Sequence, residues 1–151
     1  MTNKFLFCTL ITLAFYLSLF SQSSSKGHLE IKFTELRSDK GMIAIGINTS
    51  SEGWPRKPHI ELNWEKEDVV DGTYTVKLPE LPFGPMAISV LDDENSNLEM
   101  DMRLGIPREG FGFSNDAPVG LSPPKFEESS FPFSRSGQQI TIRIRYMGKG
   151  K

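Results

Sequence analysis

Apolar residues in this chain recur at every second position, segment after segment, and that spacing constrains the fold more than any other feature. Leu29, Ile31 and Phe33 alternate with Glu30, Lys32 and Thr34. Ile43, Ile45 and Ile47 repeat the pattern, followed by Ile60, Leu62 and Trp64, then Tyr74, Val76 and Leu78, and finally Ile140, Ile142, Ile144 and Tyr146. Successive side chains of a strand point to opposite faces, so period two means one buried face and one wet face. Met86-Ala87-Ile88-Ser89-Val90-Leu91 is apolar on both faces and reads as a central strand. Beyond the first 25 residues, no segment sustains the apolar repeat of a helix.

The punctuation agrees with short strands. Ser38-Asp39-Lys40-Gly41 predicts a turn that pairs the first two strands as a hairpin. Asp71-Gly72 predicts a two-residue hairpin, because glycine accepts a positive φ without steric cost. Glu52-Gly53-Trp54-Pro55-Arg56-Lys57-Pro58 reads as a loop, because Pro55 and Pro58 forbid regular pairing within it. Glu65-Lys66-Glu67-Asp68 reads as a solvated strand end. The expected fold is all-β: a single antiparallel β-sandwich, immunoglobulin-like or prealbumin-like, with one long irregular loop. Its inward set is expected to be Ile31, Phe33, Ile43, Ile45, Val76, Ile88, Val90, Ile142 and Ile144.

Residues 1–25 read as a secretory signal peptide. Lys4 precedes an apolar run ending at Phe20, and Ser21-Gln22-Ser23-Ser24-Ser25 offers small residues for cleavage. The run is about 16 residues, short of the roughly 20 that span a bilayer. No membrane span is expected after cleavage, and the location expected is secreted or periplasmic. Residues 26–147 then form one domain, with a basic tail at 148–151. The one cysteine, Cys8, lies in the leader, so the exported domain has no disulfide, thiol nucleophile or cysteine metal site. Seventeen Lys and Arg face 19 Asp and Glu, a net charge of −2 that loss of Lys4 makes more negative. That balance is not the footprint of a nucleic-acid partner.

The predicted loop covers residues 91–131, long for a compact domain, and loops of that length are usually functional or disordered. It contains Asp92-Asp93-Glu94-Asn95-Ser96-Asn97, then Asp101, then Leu104-Gly105-Ile106-Pro107-Arg108-Glu109-Gly110-Phe111-Gly112-Phe113-Ser114-Asn115. With Leu36-Arg37-Ser38-Asp39-Lys40-Gly41 and Leu81-Pro82-Phe83-Gly84, this series resembles the bacterial exported family called domain of unknown function 2141. The resemblance runs from about Leu29 to Tyr146 and implies a strand-rich domain behind a signal peptide. It implies no activity. Asp92 stands where the family commonly has His, and Leu98 where Gly or Lys is usual.

Asp93, Asn95, Asn97 and Asp101 occupy the first, third, fifth and ninth ligand positions of a calcium loop. Leu98 and Leu104 replace the Gly and Glu that complete that template, so calcium is one reading. The other, favoured by these gaps, is a turn whose Asp and Asn side chains bond their own backbone. Glu109, Phe111, Phe113 and Asn115 form the candidate ligand site. Its aromatics are either a platform for an envelope glycan or protein, or anchors that order the loop. With two histidines, His28 and His59, and no nucleophile elbow, no catalytic residue is assigned. The reading is a non-enzymatic exported module that binds at, or is accessory to, the cell envelope and needs no cofactor. A calcium-stabilised structural domain is the alternative, ahead of a small hydrolase using Asp93 and Glu109.

Overall fold

The computed structural model describes residues 25–120 and 122–147. The predicted leader, apart from Ser25, and the basic tail lie outside the described residues. In chain order the strands are β1 (Lys26–Gly27), β2 (Leu29–Thr34), β3 (Met42–Asn48), β4 (Ile60–Glu65), β5 (Tyr74–Lys77) and β6 (Leu81–Pro82). They continue as β7 (Gly84–Asp93), β8 (Met102–Arg103), β9 (Ile106–Pro107), β10 (Gly110–Phe113), β11 (Phe131–Phe133) and β12 (Gln138–Arg143). A 3-10 turn, Ser114–Asp116, and one helical turn, Phe126–Ser129, are interposed.

The larger sheet has the antiparallel order β10-β7-β3-β4, with β11 paired to the start of β7. The smaller has the order β12-β2-β5. Their inner faces meet in one apolar cluster: Leu29, Ile31, Phe33, Val76 and Ile142 from the small sheet against Ile43, Ile45, Ile47, Ile88 and Val90 from the large one. All nine residues expected to point inward are buried, none more than 4 % exposed. The fold is therefore mostly β and sandwich-like, as the alternation predicts.

The pairing departs from expectation in three places. First, β2 and β3 do not form a hairpin. The connection crosses between sheets through Glu35 and Gly41, both at positive φ, while Leu36 anchors in the core and its N–H bonds Gly72 O at 2.9 Å. Alternation specifies which face is buried but not which strand lies alongside. Second, β12 lies parallel to β2, with Ile140 opposite Ile31 and Ile142 opposite Phe33. Third, the stretch read as one irregular loop contains β10 and the end of β7. Gly110 and Gly112 turn β10's inner face into bare backbone. A Cβ on Gly110 would meet the Tyr146 ring at 2.5 Å and Ile144 Cγ2 at 2.6 Å, and one on Gly112 would meet Ile142 Cγ2 at 2.7 Å. Glycine here permits close packing on the last strand. The Asp71-Gly72 hairpin forms as expected: Val70 and Thr73 exchange bonds of 3.0 and 2.9 Å, with φ of 49° and 68° at the turn.

Candidate functional site

The Asp/Asn segment folds on itself at the end of β7. Asp93, fully buried, accepts the N–H of Asn97 at 3.2 Å on Oδ1 and that of Leu98 at 2.7 Å on Oδ2. Asn95 Oδ1 accepts the Asn97 N–H at 3.1 Å, and Asn97 Oδ1 accepts the Glu99 N–H at 2.8 Å. The amides of Asn95 and Asn97 donate to the two oxygens of Asp101, at 2.9 and 3.4 Å. The four residues are thus brought together, with their oxygens turned to N–H donors. Among the described residues, no group of three or more His, Cys, Asp or Glu stands placed to hold a metal ion.

Glu109 closes this loop from the other side. Its carboxylate is buried and accepts the N–H of Glu94 at 3.2 Å and of Asp101 at 3.1 Å. Burial pushes its pKa up, and the backbone N–H bonds partly offset that. Asn115, at φ 59°, donates to Ser130 O at 2.6 Å and ties the 3-10 turn to the segment after the helical turn. Of the candidate ligand residues, Glu109 and Asn115 therefore hold backbone in place.

Phe111 and Phe113 face outward, away from the main core. They form a second apolar cluster with Ala117, packed against Trp54, Met100 and Val119. Trp54 lies edge-on to Phe113 at 5.8 Å, and its indole N–H donates to Pro124 O at 2.9 Å. Register places Phe111, Leu91, Ala44 and Asn63 in one row across the outer face, and Phe113, Ser89, Gly46 and Glu61 in the next. Each row falls from an aromatic to a small residue and rises to a polar one, so the face is concave. Above it stand Leu98, Met100, Met102, Ile106 and Pro107 on one side and Pro55, Arg56 and Pro58 on another. The groove has a volume of about 750 Å³, within the usual range of ligand pockets. Its rim displays apolar side chains to water: Leu98, Met102, Ile106 and Met147 are each about half exposed. Leu104, at φ 51° on the tip of the β8–β9 ribbon, is 96 % exposed.

A buried polar network, not anticipated from the sequence, joins the loop to the core. Lys66 Nζ lies 2.5 Å from Asp92 Oδ1, and neither side chain is exposed at all. Tyr146 donates its hydroxyl to Asp92 Oδ2. The Tyr146 ring carries the Arg37 guanidinium on its face at 4.3 Å, and Arg37 makes a forked pair with Glu94. Burial pushes Asp92 up despite Lys66 and Tyr146, whereas Arg37 holds Glu94 below the usual carboxylate range. The run Glu65-Lys66-Glu67-Asp68 is thus not wholly solvated. Parity held the signal: Lys66 continues the inward series Leu62, Trp64, and Asp92 continues Ile88, Val90.

Among the described residues, no helix is long and apolar enough to cross a membrane. No curated protein and no solved structure matches the chain. One family model does, over residues 31–141, which takes in both sheets, the Asp/Asn loop and the groove-lining β10. The chain belongs to that family, described as an uncharacterized protein conserved in bacteria (DUF2141).

Proposed function

We propose that this protein is a non-catalytic binding module of the cell envelope, and that its binding surface is the groove on the outer face of the larger sheet. The carrying observation is the exposed apolar rim, Leu98, Met102, Ile106 and Met147, around a concave floor walled by Phe111 and Phe113. Contiguous apolar surface that a sheet leaves open to water is costly to a monomer and marks interaction sites. The methionines suit a site that adapts to its ligand, because the thioether chain is unbranched and flexible. Export rests on the leader read at residues 1–25. The lining favours an extended apolar segment of an envelope protein over a glycan, since apolar side chains outnumber the polar ones, Arg56, Glu61, Asn63, Ser89 and Ser122.

Trp54 makes the test direct. The chain has two tryptophans, so Trp64→Phe leaves Trp54 as the only reporter, in edge contact with Phe113. Titration with apolar peptides, and in parallel with envelope glycans, should give a saturable change in its emission for the peptides. Ala44→Phe fills the groove floor from the outer face and should abolish that change while leaving the melting temperature within a few degrees. Binding that persists in Ala44→Phe, or glycan binding alone, would overturn this reading.

A further inference from the structure

We propose that Lys66 and Asp92 condense into an intramolecular amide, so that the domain carries a covalent cross-link from the end of β4 to β7. On β3, Ile43 stands opposite Asp92 on one side and Trp64 on the other, and Lys66 lies two residues beyond Trp64, just past the end of β4, where its N–H bonds Gly41 O. The link therefore bridges the width of three strands. Nucleophile and acceptor are already in contact: Nζ is 2.5 Å from Oδ1, with both side chains wholly removed from water. Nζ has one further partner, Ser38 O at 3.2 Å, and Oδ2 receives the Tyr146 hydroxyl.

An ion pair in this setting is poorly supported. Desolvating both charges is costly, and the mutual attraction of a buried pair often fails to repay it even with added hydrogen bonds such as those to Ser38 O and from Tyr146. Moving one proton from the ammonium to the carboxylate removes both charges, and burial independently drives Asp92 toward its protonated form. Attack requires that transfer, which sets an amine electron pair beside a carboxylic acid where no water competes. Fixed proximity of this kind replaces a large part of an amide-forming barrier.

The step balances without a co-reactant. The Nζ electron pair forms a bond to Asp92 Cγ, and negative charge collects on Oδ2, where the Tyr146 O–H stabilises it. As the carbonyl re-forms, the Cγ–Oδ1 bond breaks. Oδ1 leaves with the acid proton and one proton from Nζ, as water. The amide keeps one N–H, which Ser38 O can still accept. Nothing is oxidised or reduced.

The test is peptide mapping of the full-length protein after denaturation and trypsin digestion. The expected result is a joined pair of peptides carrying Lys66 and Asp92, lighter by one water than their sum, with no cleavage after Lys66. Lys66→Met and Asp92→Ala should each abolish the joined species. Tyr146→Phe keeps the ring beneath Arg37 but removes the oxyanion donor, so the linear form should persist longer after synthesis. Recovery of unlinked peptides cleaved at Lys66 from the unmutated protein would overturn the proposal. That reading needs no variant to fold.

Discussion

The carboxylate of Glu109 accepts the backbone N–H of Asp101 at 3.1 Å, and so fixes the far end of the Asp/Asn loop to the strand pair that follows it. The same side chain holds Glu94 at the loop's near end. One buried acid thus closes the loop where it leaves and rejoins the sheet.

Removing that acid leaves two backbone donors without their partner. Glu109→Ala should lower stability by about 1–3 kcal/mol, the usual cost of orphaning buried polar groups. Glu99→Ala, on the exposed face of the same loop, should stay within about 0.5 kcal/mol. Urea melts of both variants compare them, and equal midpoints would refute the closing role.

Calcium should not change the melting temperature of the unmutated protein, because Asp93 already accepts the N–H groups of Asn97 and Leu98. Asp93→Ala should then destabilise equally in EDTA and in calcium. A bound ion at a hundredfold excess over its dissociation constant would instead add about 2.7 kcal/mol. A calcium-dependent rise lost in Asp93→Ala and Asp101→Ala would establish a metal site here.

The Arg37–Glu94 pair sets a pH dependence of known sign. Glu94 titrates below the usual range because Arg37 bonds its charged form. Its contribution is complete above the unfolded carboxylate pKa, about 4.3, and is lost as pH falls through the lower folded value. Glu109, raised by burial, acts in the opposite sense, so the comparison must be with Glu94→Gln. The gap between wild type and Glu94→Gln should be under about 1 kcal/mol at pH 6 and close on acidification below about pH 4, since the pair is partly exposed. A gap that widens in acid would contradict the assignment.

The core and the wet face of β12 should respond very differently. Ile142 is fully buried, and Ile142→Ala should cost roughly 2–5 kcal/mol. Arg143 reaches outward to Asp116 at 2.8 Å across a half-exposed pair, so Arg143→Ala should cost at most about 1 kcal/mol. Chemical denaturation distinguishes them.

Alternation made the buried face of nearly every long strand legible, because parity is a local property of the backbone. Strand neighbours are not local. Ile31 pairs with Val76 and Ile140, each far along the chain, and nothing in Leu29-Glu30-Ile31 points to either. Gly110 and Gly112 misled for a related reason. In isolation they read as loop, and only the ring of Tyr146 above them explains their absent side chains. The polar site shows the same limit. Asp93, Asn95, Asn97 and Asp101 were legible as a group, whereas Lys66 and Asp92 were hidden by the assumption that charge faces water.

The parallel seating of β12 beside β2 makes the order of synthesis matter. Gln139 bonds Glu30, a residue 109 positions earlier in the chain. Until the final strand is delivered, β2 keeps one long edge open, and the bare backbone of Gly110 and Gly112 has nothing to rest against. Contacts so distant in sequence form late. A growing chain therefore stays pliable until β12 has emerged, and a truncation before Gln138 would remove the piece that locks the two sheets together.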